Sequence, residues 1–473
     1  MSNYIPTIGL EVHVEIKSKS KLFSDSANSY GMATNTSVNV VDLGYPGTLP
    51  TINKEIIRQG IRSCKVLNCN ITRKMHFDRK NYFYPDNPKN YQITQNRTPI
   101  GTDGYVEIEV DGKRKKIGIS DIHIEEDTCK SAHRGNVSLL DFNRAGVPLI
   151  EIVTTPCISN GKEAMAYLNK LKELLFYANI SDCKMEEGSM RCDANVSISK
   201  NENLGVRTET KNISSIHNVG LAIEKEIARQ EEVLENGGTI REETRRFDDK
   251  QEETILMRVK ETGNDYRYFI EPDIPYLELT DEFIEDSLKS LPLLPDALRE
   301  KYANIGLSSL QIEKLINNRP LNDYFLGLLE YKIDYNKAVN LLLSDISSYL
   351  NKHNKLITET KLSYEKLVNV VNALETGELS NKNVKDLIDS LMENDKTLDE
   401  LKKDFNIQNI TDDSFIKEII TKVIENNSES VNDYKNGHDR ALKYLMGQVM
   451  KETKGTINPK KANDMLIEVL NNN

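Results

Sequence analysis

The sequence predicts an α+β protein: a mixed or antiparallel sheet fills roughly the first 294 residues, and helices fill the rest. Three observations predict it. Segments alternating polar and apolar residues with a period of two cluster before residue 272. Only two helical segments interrupt them, so the β-α-β rhythm of a doubly wound sheet is missing. After Pro272 and Pro275 the alternation stops, and Leu/Ile/Lys/Glu/Asn patterns of helical period run to the end.

The elements follow in order. Over Ile8–Ile16 the period of two puts Leu10, Val12, Val14 and Ile16 on one face and Glu11, His13 and Glu15 on the other. Tyr105–Val110 and Lys116–Ser120 alternate likewise. In Asp121–Asp127, Asp121, His123 and Glu125 share a face, whereas Glu126 falls with Ile122 and Ile124. Leu149–Val153, bounded by Pro148 and Pro156, is too short for a helix and reads as a buried strand. A helix is expected from about Lys162 to Ala178, capped by Asn160 with Glu163 three residues on. Strands are expected at Cys192–Ser199 and Val206–Lys211. A second helix runs from about Val219 to Leu234 and stops at Gly237-Gly238. The stretch 291–295, Leu-Pro-Leu-Leu-Pro, is a linker, and helical signals weaken again around Lys352–Leu362. The expected domains are therefore 1–294, 295–355 and 356–473.

Composition bounds the function. Of 473 residues, 38% are hydrophobic and 29% charged, an ordinary polar-biased globular composition, and no run of eighteen apolar residues predicts a membrane span. The N-terminus lacks the basic and apolar regions of a signal peptide, so a cytoplasmic protein is expected. Six cysteines, at 64, 69, 129, 157, 183 and 192, form no CxxC pair, which argues against a zinc knuckle and for small buried hydrophobes. The net charge of −11 argues against indiscriminate nucleic-acid binding, but charge is segregated. Residues 1–100 carry 13 Lys/Arg against 7 Asp/Glu, and residues 101–200 carry 13 against 16. A basic front beside an acidic pocket suits an anionic polymer whose tip enters a metal site.

Glu151 is the most informative residue, a lone carboxylate inside an apolar strand. Leaving it buried and unpaired costs several kcal/mol, so a cation or strong donors belong beside it. Glu11, His13, Glu125 and Glu126 are the company the other strands offer. The segment 184–198 adds Glu186, Glu187, Asp193 and Asn195 as oxygen ligands and Arg191 as a cation. Carboxylate and amide oxygens with one imidazole suit Mg²⁺ or Mn²⁺, metals that bridge phosphate oxygens, and so point to nucleotide chemistry. No GxxxxGK[ST] loop is present, which excludes a P-loop NTPase. In Phe77–Asp86, cations and aromatics interleave. Arg79, Lys80, Tyr82 and Tyr84 could stack bases and hold phosphates, or fill a core. Taken alone, these residues also fit a nucleic-acid-binding scaffold with a vestigial metal site, or a metal-dependent nuclease or phosphatase.

Longer strings narrow the choice. These are IGLEVHVEI at 8–16, DRKNYFYPDNPKNYQITQ at 78–95, IHIEEDTCKSAH at 122–133 and LLDFNRAGVPLIEIVTTP at 139–156. KMEEGSMRCDANVSI follows at 184–198, EETRRFDDK at 242–250, RVKETGNDYRYFIEPDIP at 258–275 and KYLMGQVMKETKGTINP at 443–459. Together they resemble the B subunit of the tRNA-dependent amidotransferases, over nearly the whole chain. The resemblance implies a cradle-shaped catalytic domain, a helical domain and a small helical tail that grips tRNA. It implies ATP-dependent phosphorylation of the Glu or Asp side chain on a misacylated tRNA, followed by displacement of phosphate by ammonia. His13, Glu126 and Glu151 match the metal ligands. Glu11, Glu125, Asp193 and Asn195 line the same pocket, where catalytic roles fall to them. Arg79, Lys80, Tyr82, Tyr84, Glu186, Glu187 and Arg191 match substrate- and nucleotide-binding segments. The chain shows no Ser/Lys amidase or Cys-His glutaminase motif, so the resemblance further implies a heterotrimer. In it an amidase A subunit supplies ammonia and a small C subunit clamps the pair. One segment departs from the pattern: at 437–445, His438 and Asp439 stand where the family usually carries basic or small residues.

Overall fold

The first part of the chain is organised by one large mixed sheet. The computed structural model describes residues 3–201, 203–259, 266–405, 407, 413–435, 438–453, 457 and 459–472. It divides into two units, Met1–Pro295 and Asp296–Asn473. Residues 260–265 of the motif at 258–275, and 454–456 and 458 of that at 443–459, lie outside the described residues.

The elements used below are β1 (Ile5–Glu15), α1 (Lys54–Val66), β2 (Asp78–Asn81), β3 (Tyr91–Thr94), β4 (Gly101–Val110) and β5 (Lys113–Glu126). They continue with β6 (Pro148–Thr154), α2 (Gly161–Tyr177), β7 (Met190–Ser199), β8 (Thr208–Lys211), α3 (Ile216–Glu235), β9 (Glu243–Asp248) and β10 (Glu253–Val259). Among the described residues the sheet runs β10-β9-β8-β7-β1-β6-β5-β4, with Asn70–Ile71 at the far edge. Neighbours are antiparallel except β8 and β9, which are parallel. The α+β expectation holds. Lys116–Ser120 and Asp121–Asp127, read as separate strands, merge into β5. This strand is joined to β4 through Asp111 (φ +49°) and Gly112 (φ +73°), the Asp-Gly pair that a tight hairpin favours.

The apolar faces meet as the period of two requires. Ile8, Leu10, Val12 and Val14 of β1, Ile122 and Ile124 of β5, and Ile150 and Ile152 of β6 are fully buried. They share one core with Tyr167, Leu168 and Leu171 of α2 and Val219 and Ile223 of α3. Each such burial contributes about 1.5–3 kcal/mol, which fixes the register of the central strands, since a one-residue slip exposes the whole set. Helix α2 begins as expected: Asn160 accepts from Glu163 N at 2.9 Å, and the Glu163 carboxylate accepts from Ser159 N at 2.8 Å. Where α2 starts, it approaches α3 so closely that a Cβ on Gly161 would stand 2.4 Å from the Gly220 carbonyl oxygen.

A smaller sheet of β2, β3 and Phe269–Ile270 lies against the end of β5. The second unit contains helices and no strand among its described residues. Helix Ser347–His353 ends at Asn354 (φ +49°), and a short 3-10 turn, Ile357–Glu359, precedes the helix at Tyr364–Thr376, so the weakened signal around 352–362 is a break between helices. Farther on, Ile416, Ile420, Leu445, Val449, Leu466 and Leu470 form a separate apolar cluster. No helix of the described residues is long and apolar enough to cross a membrane. The six cysteines are free, four of them buried.

Candidate active site

The opposite face of the large sheet carries the candidate site residues, and strand pairing brings them together. Across four strands, His123 of β5 pairs with Glu151 of β6, Glu151 with His13 of β1, and His13 with Arg191 of β7. One step along, Glu11 pairs with Asp193, and Asn195 with Glu209. Residues far apart in sequence thereby share one polar surface, because alternation sends all of them away from the helices.

Two acidic groups form there. In the first, ligand atoms of His13, Glu125 and Glu151 all lie within 4.8 Å of one another. His13 Nε2 is 3.6 Å from a Glu125 oxygen and 3.8 Å from a Glu151 oxygen. Those separations are long for direct hydrogen bonds. Both fall inside the spacing of two ligands that share one small ion, since ligands each about 2.1 Å from a Mg²⁺ lie no more than about 4.2 Å apart. In the second group, Glu11, Asp193 and Glu209 lie equally close, with the Lys211 ammonium paired to Asp193 and Glu209. Asn195 donates to Glu11 at 2.9 Å.

The electrostatics describe a site short of positive charge. Burial, then the neighbouring Glu125, push Glu151 up to about 8. Burial also raises Glu125, against the pull of Lys80. Burial, with Arg191 and Lys211 nearby, takes His13 down to about 3, leaving a neutral imidazole with a free lone pair for a metal. Two carboxylates and a neutral imidazole turned toward one point form a donor set suited to a hard divalent cation.

Over this floor is a cavity of about 430 Å³ lined by His13, Glu125, Asp193, Lys80, Tyr82, Arg191 and Lys211, among others. Lys80 reaches it from β2. Burial by itself lowers its pKa, but Glu125, Tyr268 and Glu151 hold it above the ordinary lysine value. Arg191 donates to Asp127 at 2.6 Å.

Not every expected residue arrives. Glu126, matched to the metal ligands, is turned away. Alternation along β5 sets it opposite Glu125, where it accepts from Ile93 N at 2.9 Å and meets Lys89. Glu186 and Glu187 are exposed in the turn before β7, Glu187 paired with Lys184 at 2.8 Å. Arg79, next to Lys80 on β2, points the other way. It donates to Glu271 at 2.9 Å and lies over the Tyr91 ring. Tyr84 is exposed on the following loop. Sequence reasoning missed Asp127, Glu209 and Lys211. Asp127 adjoins Glu126, and Glu209 and Lys211 share a face of the Val206–Lys211 strand, but nothing in the sequence says which strand lies beside β7.

Known proteins share this chain's pattern from end to end. Family models for the GatB/GatE catalytic domain and the GatB domain match residues 6–285 and 323–470. Over 473 residues, 99% of each chain, the protein is 46% identical to the B subunit of the aspartyl/glutamyl-tRNA(Asn/Gln) amidotransferase of Geobacillus thermodenitrificans (strain NG80-2). It is 46% identical to that of Geobacillus kaustophilus (strain HTA426) over 470 residues, 98% of this chain and 99% of the relative. The counterpart in Bacillus licheniformis is 45% identical over 473 residues, 99% of each chain. The full-length match and the two family models agree: the chain belongs to the family of aspartyl/glutamyl-tRNA(Asn/Gln) amidotransferase B subunits.

Proposed function

We propose that this chain performs the ATP-dependent amidation of Glu-tRNA(Gln), Asp-tRNA(Asn) or both, within a complex whose A subunit releases ammonia from glutamine and whose small C subunit holds the pair together. The observation that carries this reading is the meeting of an acidic floor with basic walls. His13, Glu125 and Glu151 converge within 4.8 Å, and Lys80, Arg191 and Lys211 line the cavity above them. The relatives' names supply the misacylated substrate.

A carboxylate is a poor electrophile, so amidation needs a leaving group. In the first step a side-chain carboxylate oxygen of the aminoacyl-tRNA attacks the γ-phosphorus of ATP. ADP departs with the bridging oxygen, leaving an acyl phosphate. In the second, ammonia adds to the acyl carbon, phosphate leaves with the C–O pair, and one N–H proton passes to a base. His13, Glu125 and Glu151 would hold Mg²⁺, or Mn²⁺ in its place, which would supply charge neutralisation for the phosphates. The chain's own cations do related work. Lys80 and Arg191 bind and orient phosphate oxygens from two sides, which matters because phosphoryl transfer is mostly positioning and electrostatics. Glu11 and Asn195, joined to each other, border the same surface and set its shape. Tyr82 gives the wall an aromatic surface against which a base can stack.

The test is reconstitution. The chain is assembled with A and C partners, each misacylated tRNA is supplied with ATP and glutamine, and amide is scored. Glu151→Gln is expected to lower amide formation at least a hundredfold while tRNA binding and partner glutaminase activity stay within about twofold. A fully active variant would make the metal site vestigial and leave a scaffold. Cleavage of uncharged RNA by the chain alone would favour a nuclease.

A further inference from the structure

We propose that Lys211 contacts substrate, binding nucleotide phosphate from the side of the cavity opposite Lys80. This rests on the reading above that the cavity handles a phosphoryl group.

Placement is the first support. Lys211 is the last residue of β8, and directly after it Asn212 takes a left-handed turn (φ +61°). The strand therefore stops at the cavity wall, and the ammonium lines the same space as His13, Glu125 and Arg191. Glu11 lies two residues from His13 on the same face of β1, about 7 Å along the strand. Glu11 pairs with Asp193, which holds Lys211, so the ammonium is anchored next to the carboxylates suited to a metal.

Valence is the second. An ammonium has three donors on a flexible four-carbon stem. Lys211 reaches Asp193 with one and Glu209, at 2.9 Å, with another, and no further partner for it exists among the described residues. A cation that only neutralised its surroundings would match them in charge. Here one ammonium is paired with both Asp193 and Glu209, and Glu11 lies within the same acidic group, so the patch keeps more negative charge than Lys211 brings. Held this way, Lys211 can turn its remaining N–H toward an anion with no rotation of the strand.

The other cations make the third. Arg191 is tied to Asp127, and Lys80 is drawn toward Glu125 and Glu151. Lys211 supplies positive charge from β8, one strand beyond the β7 that carries Arg191. A triphosphate, with charge distributed along its length, is better held from several sides than from one.

The experiment uses the chain assembled with its partners. Lys211→Met is expected to lower kcat/KM for ATP at least a hundredfold while KM for the misacylated tRNA stays within about threefold. The K211M/E209Q double variant separates contact from neutralisation, with E209Q as its control. If Lys211 touches phosphate, the double variant stays at least tenfold below that control. Recovery to the control's activity overturns the proposal, as does a Lys211→Met enzyme with unchanged kcat/KM for ATP. Should these variants fail to assemble, reductive methylation of the wild-type complex read by mass spectrometry decides. Protection of Lys211 by added ATP supports the proposal, and unchanged methylation overturns it. A wild-type complex that amidates no misacylated tRNA sinks the functional reading itself; an active wild type with an indifferent Lys211 sinks only this inference.

Discussion

At the scale of single residues, the chain separates two adjacent carboxylates into different jobs. Glu125 is buried on the polar face with His13, and Glu126, its neighbour, is buried on the other side with Lys89 and Ile93 N. Exchange of either for glutamine keeps the shape and removes one charge, so the two variants should fail differently. Glu125→Gln is expected to weaken Mn²⁺ binding at least about tenfold, as followed by electron paramagnetic resonance of the free ion, with little change in melting. Glu126→Gln leaves Lys89 without its carboxylate in a nearly closed environment. It is expected to cost roughly 3 kcal/mol in denaturant unfolding while Mn²⁺ affinity stays close to wild type. The reverse pattern would return Glu126 to the metal. These two residues also mark how far the sequence reaches. Period-of-two alternation alone put Glu125 with Asp121 and His123 and set Glu126 apart, which is the arrangement found. The metal role for Glu126 came from the family resemblance, and the strand's own geometry does not support it.

At the scale of elements, alternation identifies a strand's faces, but strand order decides which faces meet. Glu11 and His13 were legible as a polar face. That they stand opposite Asp193 and Arg191, nearly two hundred residues away, is a property of pairing that no local pattern encodes. The outer strands are held to the site by a buried polar knot under α3. Glu226 accepts from Thr208 Oγ1 at 2.7 Å, Thr254 Oγ1 at 2.6 Å, Gln230 Nε2 at 2.9 Å and Arg229 Nη2 at 2.6 Å. It thereby ties β8 and β10 to the helix. Burial alone would raise this carboxyl, but the Arg229 hydrogen bond and charge, with the Thr254 and Gln230 bonds, leave it below the ordinary glutamate value of 4.5. A lowered folded-state pKa means stability that is fully present above 4.5 and lost as pH falls through the folded value. Glu226→Gln is therefore expected to cost about 2 kcal/mol at pH 7. The gap from wild type should narrow below pH 4.5 in parallel urea titrations. A gap that widened in acid would show that the carboxylate is not what the knot depends on.

At the scale of the molecule, the residues for which a chemical role is proposed all belong to the first unit. The core that supports them runs from Tyr4 to Ile284, with Leu291 and Leu294 packed at its margin. Every member of the two acidic groups falls between Glu11 and Glu209, and Lys211 follows two residues on. The helices beyond residue 296 bury apolar clusters of their own, such as that of Ile416, Val449 and Leu466. The strand-to-helix change in the sequence marked this division, because a sheet's period of two and a helix's 3.6 cannot share a segment. A unit that closes its own core and contributes every ligand should not need the rest of the chain to bind an ion. A fragment ending at Pro295 is accordingly expected to unfold in one cooperative urea transition and to bind Mn²⁺ within about threefold of the full chain. Amide formation on tRNA, which in the proposed reading needs the whole assembly, should be lost in the same fragment. If the fragment stayed folded but lost its ion, the helical unit would be shaping the metal site, and His13, Glu125 and Glu151 would not be sufficient to hold it.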